Sequence, residues 1–297
     1  MRKYIGEIML FTTAIIWGSG FVFSAISLDY LTPYQILAVR FSIGVLILSI
    51  IFSKRLKQIK KSTLQRGFIL GFLLYFAFLL QTVGLQYTTP SKNAFITAIN
   101  VVIVPFIAFF IDKRKIDKFE LTGAFLAVIG IAFLSLQLTA AEINLGDLLT
   151  LGCAFGFAFQ IYYTAKYVKD EDPILLTVVQ MGAAAIFAWI FVFARGELNF
   201  SLQWEGVLST LYLGVFSTTL AYCLQTMAQK FTTETKTAII LSTEAFWGMV
   251  FSVIILSELL TGRMIIGAIL ILTAILLAET KPSFLKKRSL KEIKEIK

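Results

Sequence analysis

The segment LQTVGLQYTTPSKNA, at residues 80–94, recurs 144 residues later as LQTMAQKFTTETKTA, at residues 224–238. Seven of these fifteen positions hold the same residue, and self-similarity at a fixed offset is the sequence signature of an internal repeat. Upstream the offset becomes 140, which aligns Gly6-Glu7 with Gly146-Asp147. The chain is therefore predicted to contain two copies of one structural unit.

The composition is that of a membrane protein. Of the 297 residues, 58% are apolar and 15% are charged, and the mean hydropathy is +0.82. A soluble domain carries roughly 25% charged residues, and disordered, coiled-coil and collagen-like chains need a charged or repetitive composition, so these classes are excluded. The apolar runs are continuous over about twenty residues, the length that a helix needs to cross a bilayer, whereas a barrel strand alternates in polarity. The predicted fold class is an all-α integral membrane protein.

Apolar runs between charged or Gly/Pro-rich breaks predict ten transmembrane helices. Their approximate bounds are 5–26, 34–52, 67–86, 93–111, 119–138, 146–165, 173–194, 205–226, 237–256 and 263–280. Each copy of the repeat then holds five helices, and because five is odd the second copy enters the membrane in the opposite orientation. The predicted domains are a first five-helix repeat at 1–140, a second, inverted five-helix repeat at 141–282 and a basic cytoplasmic tail at 283–297.

The distribution of basic residues predicts the orientation of the chain. Lysine and arginine accumulate in cytoplasmic loops, and placing the N terminus in the cytoplasm puts 22 of the 27 basic residues on that side. The outer segments then hold only Lys92, Arg195 and Arg263. Both termini of this multi-pass protein are therefore expected on the cytoplasmic side of the cytoplasmic (inner) membrane. The net charge of +9 is interpreted as this topology signal together with attraction to anionic membrane lipids, and no nucleic-acid partner is predicted.

Inverted repeats are typical of secondary transporters, in which the substrate site lies near the membrane midplane between the halves. Two near-equivalent halves can open such a site to one side and then to the other, which is alternating access. A duplication without a transport role is the remaining interpretation of the repeat.

Six short motifs are spread over nearly the whole chain. They are Trp17-Gly18-Ser19-Gly20-Phe21, Pro33 with Arg40-Phe41, the run from Gln81 to Thr97 with Pro105, Gly146-Asp147, Ser242-Thr243-Glu244 and Ser257-Glu258. Together they resemble the EamA-like branch of the drug/metabolite transporter (DMT) superfamily. The resemblance implies a ten-helix inner-membrane carrier of small organic molecules, commonly an exporter of amino acids or related metabolites. Members also move nucleotide sugars, sugar phosphates, choline and cations, so the resemblance narrows the mechanism more than the substrate.

The ninth helix departs from the family pattern at one position. The family usually has a proline after the acidic residue of this helix, whereas Ala245 follows Glu244 in this sequence. The kink that such a proline produces is therefore left open here.

Ionisable residues inside apolar spans are costly to place in a membrane and mark candidate functional positions. Glu244, about two turns inside the predicted ninth helix, is a candidate for binding the substrate and for coupling transport to protons. The alternative is a structural acid paired with a base or with capping hydroxyls. Since the chain has no histidine, proton coupling depends on acidic residues, and Glu7 and Asp147 are further candidates that are also compatible with headgroup depth.

Lys92 and Lys236 occupy equivalent positions in the two copies. They are predicted at opposite membrane faces, each at the start of a helix that would line the cavity. Two interpretations stay open. They attract a carboxylate or phosphate of the substrate at the cavity entrances, or they anchor the helix ends by snorkelling.

The remaining candidates are uncharged apart from one arginine. Arg40 lies about 10 Å below Pro33 along its helix, and because arginine keeps its charge when buried it is predicted to form a structural or substrate ion pair. The other substrate-binding candidates are the amides Gln81, Gln225 and Asn100 and the aromatic residues Trp17, Tyr75, Tyr222 and Trp247.

Several function classes are disfavoured by what the sequence lacks. Without histidine and without a nucleophile–base or metal-ligand cluster, no enzyme, metal site or cofactor is predicted. Cys153 and Cys223 lie inside apolar runs and are interpreted as small hydrophobic residues. The sequence also has no Gly-x-x-x-x-Gly-Lys-[Ser/Thr] loop for a nucleotide phosphate, so ATP is not expected to drive the chain directly.

The predicted function is a secondary transporter that moves a small organic metabolite, an amino acid or related compound, with export as the expected direction. One alternative is an exchanger of anionic or phosphorylated metabolites that uses Lys92 and Lys236. An alternative of another class is a membrane-embedded receptor or structural protein without flux. Ten helices in two halves can form a complete pathway, so a monomer is sufficient and a dimer is possible.

Overall fold

A computed structural model describes residues 4–113, 117–135, 145–257, 259 and 261–280, and these fold almost entirely into helices. Within the described residues, eight helices are long and apolar enough to cross a membrane. Their bounds are Ile5–Leu28, Pro33–Ile51, Lys61–Leu85, Pro90–Asp112, Leu145–Tyr167, Pro173–Arg195, Trp204–Ala228 and Glu234–Leu256. The predicted all-helical class is thus confirmed.

Several of these runs divide into shorter helices. In chain order the helices are α1 (Ile5–Leu28), α2 (Pro33–Ile51), α3 (Ser53–Leu56), α4 (Lys61–Leu85), α5 (Pro90–Thr97), α6 (Asn100–Asp112), α7 (Lys118–Ser135), α8 (Leu145–Tyr167), α9 (Pro173–Arg195), α10 (Trp204–Tyr212), α11 (Ala221–Ala228), α12 (Glu234–Leu241), α13 (Glu244–Leu256) and α14 (Gly262–Thr280). A π-helical segment, Leu213–Leu220, joins α10 to α11.

Helices α2 and α9 begin with the same chemistry 140 residues apart. Thr32 caps α2 by accepting a hydrogen bond from the backbone N–H of Gln35, and Pro33 follows it. Asp172 caps α9 by accepting from two backbone N–H groups, and Pro173 follows. A polar cap before a proline is a strong signal for the start of a helix, which explains why the sequence predicts both starts within one residue.

The predicted spans at 93–111 and 237–256 correspond to Pro90–Asp112 and Glu234–Leu256, and each of them is divided by a break in the middle. Helix α5 ends at Thr97 and α6 begins at Asn100, while α12 ends at Leu241 and α13 begins at Glu244. Hydropathy does not detect the first break, since the residues around it are as apolar as those of a continuous helix. At the second break the hydroxyls of Ser242 and Thr243 donate to carbonyl oxygens one turn earlier.

The two breaks share one backbone hydrogen-bond pattern. In the first, the N–H of Ala98 donates to Ala94 and the N–H of Ile99 donates to Ile96. In the second, 144 residues later, the N–H of Ser242 donates to Ala238 and that of Thr243 to Ile240. Each break is therefore a tightened helical turn rather than a kink caused by proline. The second break forms although Ala245 stands where the family usually has proline.

Close helix contacts position the centre of the molecule. Helix α1 packs on α13, and α4 packs on both α8 and α9. A Cβ atom on Gly18 of α1 would lie 2.4 Å from the Cβ of Trp247, and one on Gly71 of α4 would lie 2.5 Å from the Cβ of Ala183. Small residues at such points allow helix backbones to approach closely in a membrane.

Helices α7 and α14, which occupy the positions of the fifth and tenth predicted spans, pack against each other. The count of ten membrane spans and the inverted orientation of the second repeat stay predictions. The predicted boundary between the halves at residues 140 and 141 and the predicted tail at 283–297 lie outside the described residues.

Candidate functional site

A cavity of about 460 Å³ lies between the helices of the two halves. Fourteen residues line the cavity: Trp17, Gly20, Phe21, Ser24, Arg40, Phe78, Gln81, Asn100, Phe157, Gln160, Ile161, Ser217, Tyr222 and Glu244. The wall is thus aromatic and apolar, with a few polar groups and two charged side chains.

Ten of the fourteen lining residues form equivalent pairs of the sequence repeat. Offset 140 relates the pairs on α1 and α8, and offset 144 relates the pairs that follow. The pairs are Trp17 with Phe157, Gly20 with Gln160, Phe21 with Ile161, Phe78 with Tyr222 and Asn100 with Glu244. Most of the cavity wall therefore consists of positions that are equivalent in the two copies of the sequence repeat.

Glu244 is the acidic group of the cavity. It is the first residue of α13, directly after the break, and only 4% of it is exposed. Among the described residues its carboxylate has no hydrogen-bond or ion-pair partner. The N-terminal end of a helix carries partial positive charge, which makes this position less costly for a carboxylate than the middle of the helix.

Arg40 is the basic group of the cavity, and 1% of it is exposed. Its Nε donates to the Thr218 hydroxyl at 2.8 Å and its Nη2 to the Ser217 hydroxyl at 3.3 Å, both on the π-helical segment. No carboxylate of the described ranges lies within 4.0 Å of the guanidinium. Within the described residues two hydroxyls thus hold Arg40 in place of a structural ion pair, and an ion pair with the substrate stays a prediction.

Amides supply neutral hydrogen-bonding groups on the cavity wall. The Gln81 amide donates to the Thr97 hydroxyl at 3.1 Å. Asn100, the first residue of α6, is buried, and its Oδ1 has no hydrogen-bond partner in the described part of the chain. Gln160 accepts from Gln225 at 3.1 Å. A buried carbonyl oxygen without a donor is costly, so Asn100 offers an acceptor to a bound molecule.

Aromatic rings form the apolar wall. Trp17 and Tyr222 have ring centroids 4.8 Å apart, and Phe78 lies 5.9 Å from Tyr222 and 5.0 Å from Phe157. The indole N–H of Trp17 donates to the carbonyl of Ser217 at 2.9 Å, which fixes the ring. These rings line the cavity with flat apolar faces.

The two lysines lie outside this cavity. Lys92 Nζ is 2.6 Å from a carboxylate oxygen of Asp147, and Lys236 Nζ is 2.6 Å from a carboxylate oxygen of Glu7. Each lysine lies in the first turn of its helix, after a threonine that caps the helix. Both acidic partners, which are also candidates for proton coupling, are thus bound to lysines away from the cavity wall.

The structure brings together six of the predicted site residues and leaves five elsewhere. Trp17, Arg40, Gln81, Asn100, Tyr222 and Glu244 line the cavity. Gln225 lies behind the wall in contact with Gln160, and Tyr75 and Trp247 pack among aromatic rings between helices. With Lys92 and Lys236, these make five candidates that do not face the cavity.

Sequence reasoning missed Phe78, Phe157 and Ser217. The repeat itself carries the signal for the first two, because Phe78 is equivalent to Tyr222 and Phe157 is equivalent to Trp17. Ser217 has no such signal, since its role comes from the π-helical segment. In the described part of the chain, no group of three His, Cys, Asp or Glu side chains is placed to hold a metal ion.

Comparison with other proteins gives one consistent relationship. The sequence model of the EamA-like transporter family matches residues 4–136 and 144–280. An uncharacterized transporter from Archaeoglobus fulgidus is 33% identical over 285 residues, which are 95% of this chain and 88% of that protein. The uncharacterized transporter YyaM of Bacillus subtilis is 26% identical, over 91% of this chain and 92% of its own length.

A solved crystal structure shares the fold, with a TM-score of 0.76 at 15% identity, covering 92% of this chain and 96% of that one. The family match spans both copies of the repeat, and its two segments contain every residue of the cavity wall. This multi-pass membrane protein therefore belongs to the EamA-like transporter family of the DMT superfamily.

Proposed function

We propose that this transporter moves a small amino-acid-related metabolite out of the cell by alternating access between two inverted five-helix repeats, residues 1–140 and 141–282. The observation that carries the proposal is the buried carboxylate of Glu244, which has no partner among the described residues and lies in a cavity lined by equivalent residues of both copies. In a membrane a carboxylate without a partner is costly, and a cationic group of a substrate or a proton relieves that cost.

The paired construction of the cavity supports alternating access. Equivalent residues line it from both copies, and the two breaks place Asn100 and Glu244 at corresponding helix starts. Discontinuous helices at the interface of two inverted repeats are the common construction of substrate sites in secondary transporters. Two such halves have two related ways to pack, one open to each side.

Glu244 also supports a coupling mechanism. A carboxylate binds either a proton or the ammonium group of a substrate, and the two compete for the same oxygen atoms. Release of the substrate to the outside then leaves the carboxylate free to take a proton, which the return step carries inward. Export of the substrate is thereby exchanged for entry of a proton.

The alternative function, exchange of anionic or phosphorylated metabolites on Lys92 and Lys236, has weaker support. Both lysines contact carboxylates and neither lines the cavity. A receptor or structural role without flux does not account for the buried carboxyl group of Glu244, which has no partner in the part of the chain that the structure describes.

The proposed setting is the cytoplasmic membrane with both termini in the cytoplasm, as the distribution of basic residues predicts. The basic segments then face anionic lipid headgroups. Because the cavity forms within one chain, a monomer is proposed to be the transporting unit, with a dimer as a compatible assembly.

Flux through the purified protein in liposomes tests the proposal. Each L-amino acid is offered as a radiolabelled substrate in counterflow, with and without a pH gradient opposed to its movement. We expect saturable flux for a group of zwitterionic amino acids and faster flux with the gradient. Glu244→Gln is expected to lose the response to the gradient, because the glutamine amide neither gains nor loses a proton near neutral pH.

Glu205→Gln is the matched control, since Glu205 is an exposed glutamate in the first turn of α10 and does not line the cavity. It is expected to keep both flux and the response to the gradient. Phosphate esters are offered in the same assay. Flux of phosphate esters without flux of amino acids, lost in Lys92→Ala or Lys236→Ala, would instead support the exchanger. Absence of flux for every compound would support the receptor or structural role.

A further inference from the structure

We infer that Arg40 and Glu244 divide the recognition of one zwitterionic substrate, with the substrate carboxylate on Arg40 and its ammonium group on Glu244. The inference rests on the proposed transport function and deepens it, because it gives the substrate a fixed direction in the cavity. Arg40 comes from the first half of the chain and Glu244 from the second.

The charges of the cavity are arranged as those of a zwitterion require. Both residues are buried on the cavity wall, and no salt bridge joins them to each other or to another described residue. Two opposite charges that do not neutralise each other leave two sites for charge within one cavity. A ligand with one negative and one positive group satisfies both sites at once.

The positions that are equivalent to Arg40 and Glu244 in the repeat carry no charge. The residue equivalent to Arg40 in the second half is Gln180, and the residue equivalent to Glu244 in the first half is Asn100. At each of these positions one copy has a charge and the other a neutral amide. The cavity is therefore lined largely by equivalent positions of the two copies, but its basic group comes from one half and its acidic group from the other.

The contacts of Arg40 leave room for a carboxylate. A guanidinium has five N–H donors in a planar fork that suits bidentate contact with a carboxylate. Nε and Nη2 donate to Thr218 and Ser217, and the remaining donors have no acceptor in the described residues. The guanidinium carbon also lies 4.1 Å from the centroid of the Phe78 ring. Hydroxyls and a ring thus hold the side chain in place without neutralising its charge.

The aromatic wall indicates the rest of the substrate. Trp17, Phe78, Phe157 and Tyr222 line the cavity between the polar groups, and such rings favour an apolar or aromatic side chain. L-Phenylalanine is therefore the probe of choice. Phenethylamine lacks only its carboxylate, and 3-phenylpropionate lacks only its ammonium group.

Binding of these three compounds to the purified protein tests the inference by calorimetry. In the unmodified protein, L-phenylalanine is expected to bind roughly 10- to 100-fold more tightly than either analogue, since a hydrogen bond to a charged group contributes about 1.5–3 kcal/mol. Arg40→Gln should lower the affinity for L-phenylalanine by the same factor and leave the affinity for phenethylamine unchanged. Glu244→Gln should lower the affinity for L-phenylalanine and leave the affinity for 3-phenylpropionate unchanged. Arg195→Gln, at an exposed arginine outside the cavity, is the control that should change none of the three.

Equal weakening of L-phenylalanine and phenethylamine in Arg40→Gln would overturn the assignment and make Arg40 a structural residue. Failure of the unmodified protein to prefer L-phenylalanine over both analogues would overturn it without any variant, so the test does not depend on the variants folding. Failure of the proposed function is separate, since it appears as absent amino-acid flux in liposomes. Flux of amino acids with no preference for the complete zwitterion would overturn the inference alone.

Discussion

Single glycines set how closely the helices around the cavity approach one another. A Cβ on Gly18 would lie 2.4 Å from the Cβ of Trp247 and 2.8 Å from the backbone nitrogen of Gly248. Backbone atoms cannot move aside without shifting α13, so Gly18→Ala is expected to destabilise the fold by roughly 1–3 kcal/mol. Thermal unfolding in detergent measures this as a lower Tm. Gly182→Ala is the control, because its Cβ would lie 3.5 Å from a Val45 methyl group, and equal Tm values for the two variants would contradict the prediction.

The carboxyl group of Glu171, between α8 and α9, is expected to make the stability of the fold depend on pH. Burial alone would raise the pKa of its carboxyl, but hydrogen bonds from Thr63 and Ser62 and the positive charge of Arg66 outweigh this, so the pKa lies below its usual 4.5. A carboxyl group whose pKa is lowered by folding stabilises the folded state at pH values above the pKa of the unfolded state. This stabilisation is lost as the pH falls through the lowered pKa of the folded state. Acidification from about pH 6 to pH 3 should therefore reduce Tm by this contribution.

Glu171→Gln should be less stable than the unmodified protein at neutral pH, and the difference between them should shrink as the pH falls below about 4.5. Thermal unfolding across this range measures both effects. Asp170→Asn, a change at the exposed neighbouring acid whose contact with Arg66 is largely solvated, should leave the acid-dependent loss in place. A constant difference between Glu171→Gln and the unmodified protein at all pH values would show that the carboxylate charge does not stabilise the fold.

At the scale of helices, the broken spans depend on their first turns. Thr233 caps α12 by accepting from the backbone N–H of Lys236 at 3.3 Å, and Thr89 caps α5 in the same way. Loss of such a cap costs about 1 kcal/mol, so Thr233→Ala should lower the free energy of unfolding by that amount. Thr233→Ser retains the acceptor oxygen and should not. Equal losses for the two variants would assign the effect to the methyl group instead of the cap, and chemical denaturation in mixed micelles separates these outcomes.

Helix positions followed from the sequence much better than helix interruptions. Polar caps followed by proline, at Thr32 and Asp172, predict helix starts because their chemistry is local. The breaks at Ala98 and Ser242 could not be predicted, since a change of two hydrogen bonds leaves the hydropathy of the segment unaltered. The π-helical segment that carries Ser217 has the same property, so the hydroxyl contacts of Arg40 depend on backbone geometry that hydropathy does not encode.

At the scale of the whole molecule, charges inside apolar runs predicted the site better than charges at helix starts did. Glu244 and Arg40 are evident as charges inside apolar runs. Lys92 and Lys236 were predicted from their equivalent positions at two helix starts, yet they lie outside the cavity, and each contacts an acid of the other half at 2.6 Å. Whether a charged residue near a helix end binds substrate or forms an ion pair within the chain therefore cannot be decided until its partner is known. A single sequence does not show that partner.

The two lysine–carboxylate pairs lie where the halves meet. Lys92 of α5 contacts Asp147 of α8, and Lys236 of α12 contacts Glu7 of α1, so each pair joins a helix of one half to a helix of the other. In the predicted topology one pair lies at the outer face and the other at the cytoplasmic face. Partly exposed ion pairs contribute only about 0.2–1 kcal/mol, which is weak enough for one pair to separate in each step of a transport cycle.

Alternating access therefore predicts that bridging either pair permanently stops transport. The two double variants are Lys92→Cys with Asp147→Cys and Lys236→Cys with Glu7→Cys, each in a chain whose native Cys153 and Cys223 are replaced by alanine. A short bifunctional thiol reagent should abolish flux in both, because each bridge holds one face closed, while calorimetric binding persists through the face that stays free to open. The same reagent on the four single-cysteine variants controls for loss of the ion pair. Undiminished flux after complete bridging of either pair would mean that the halves do not separate at that face during transport.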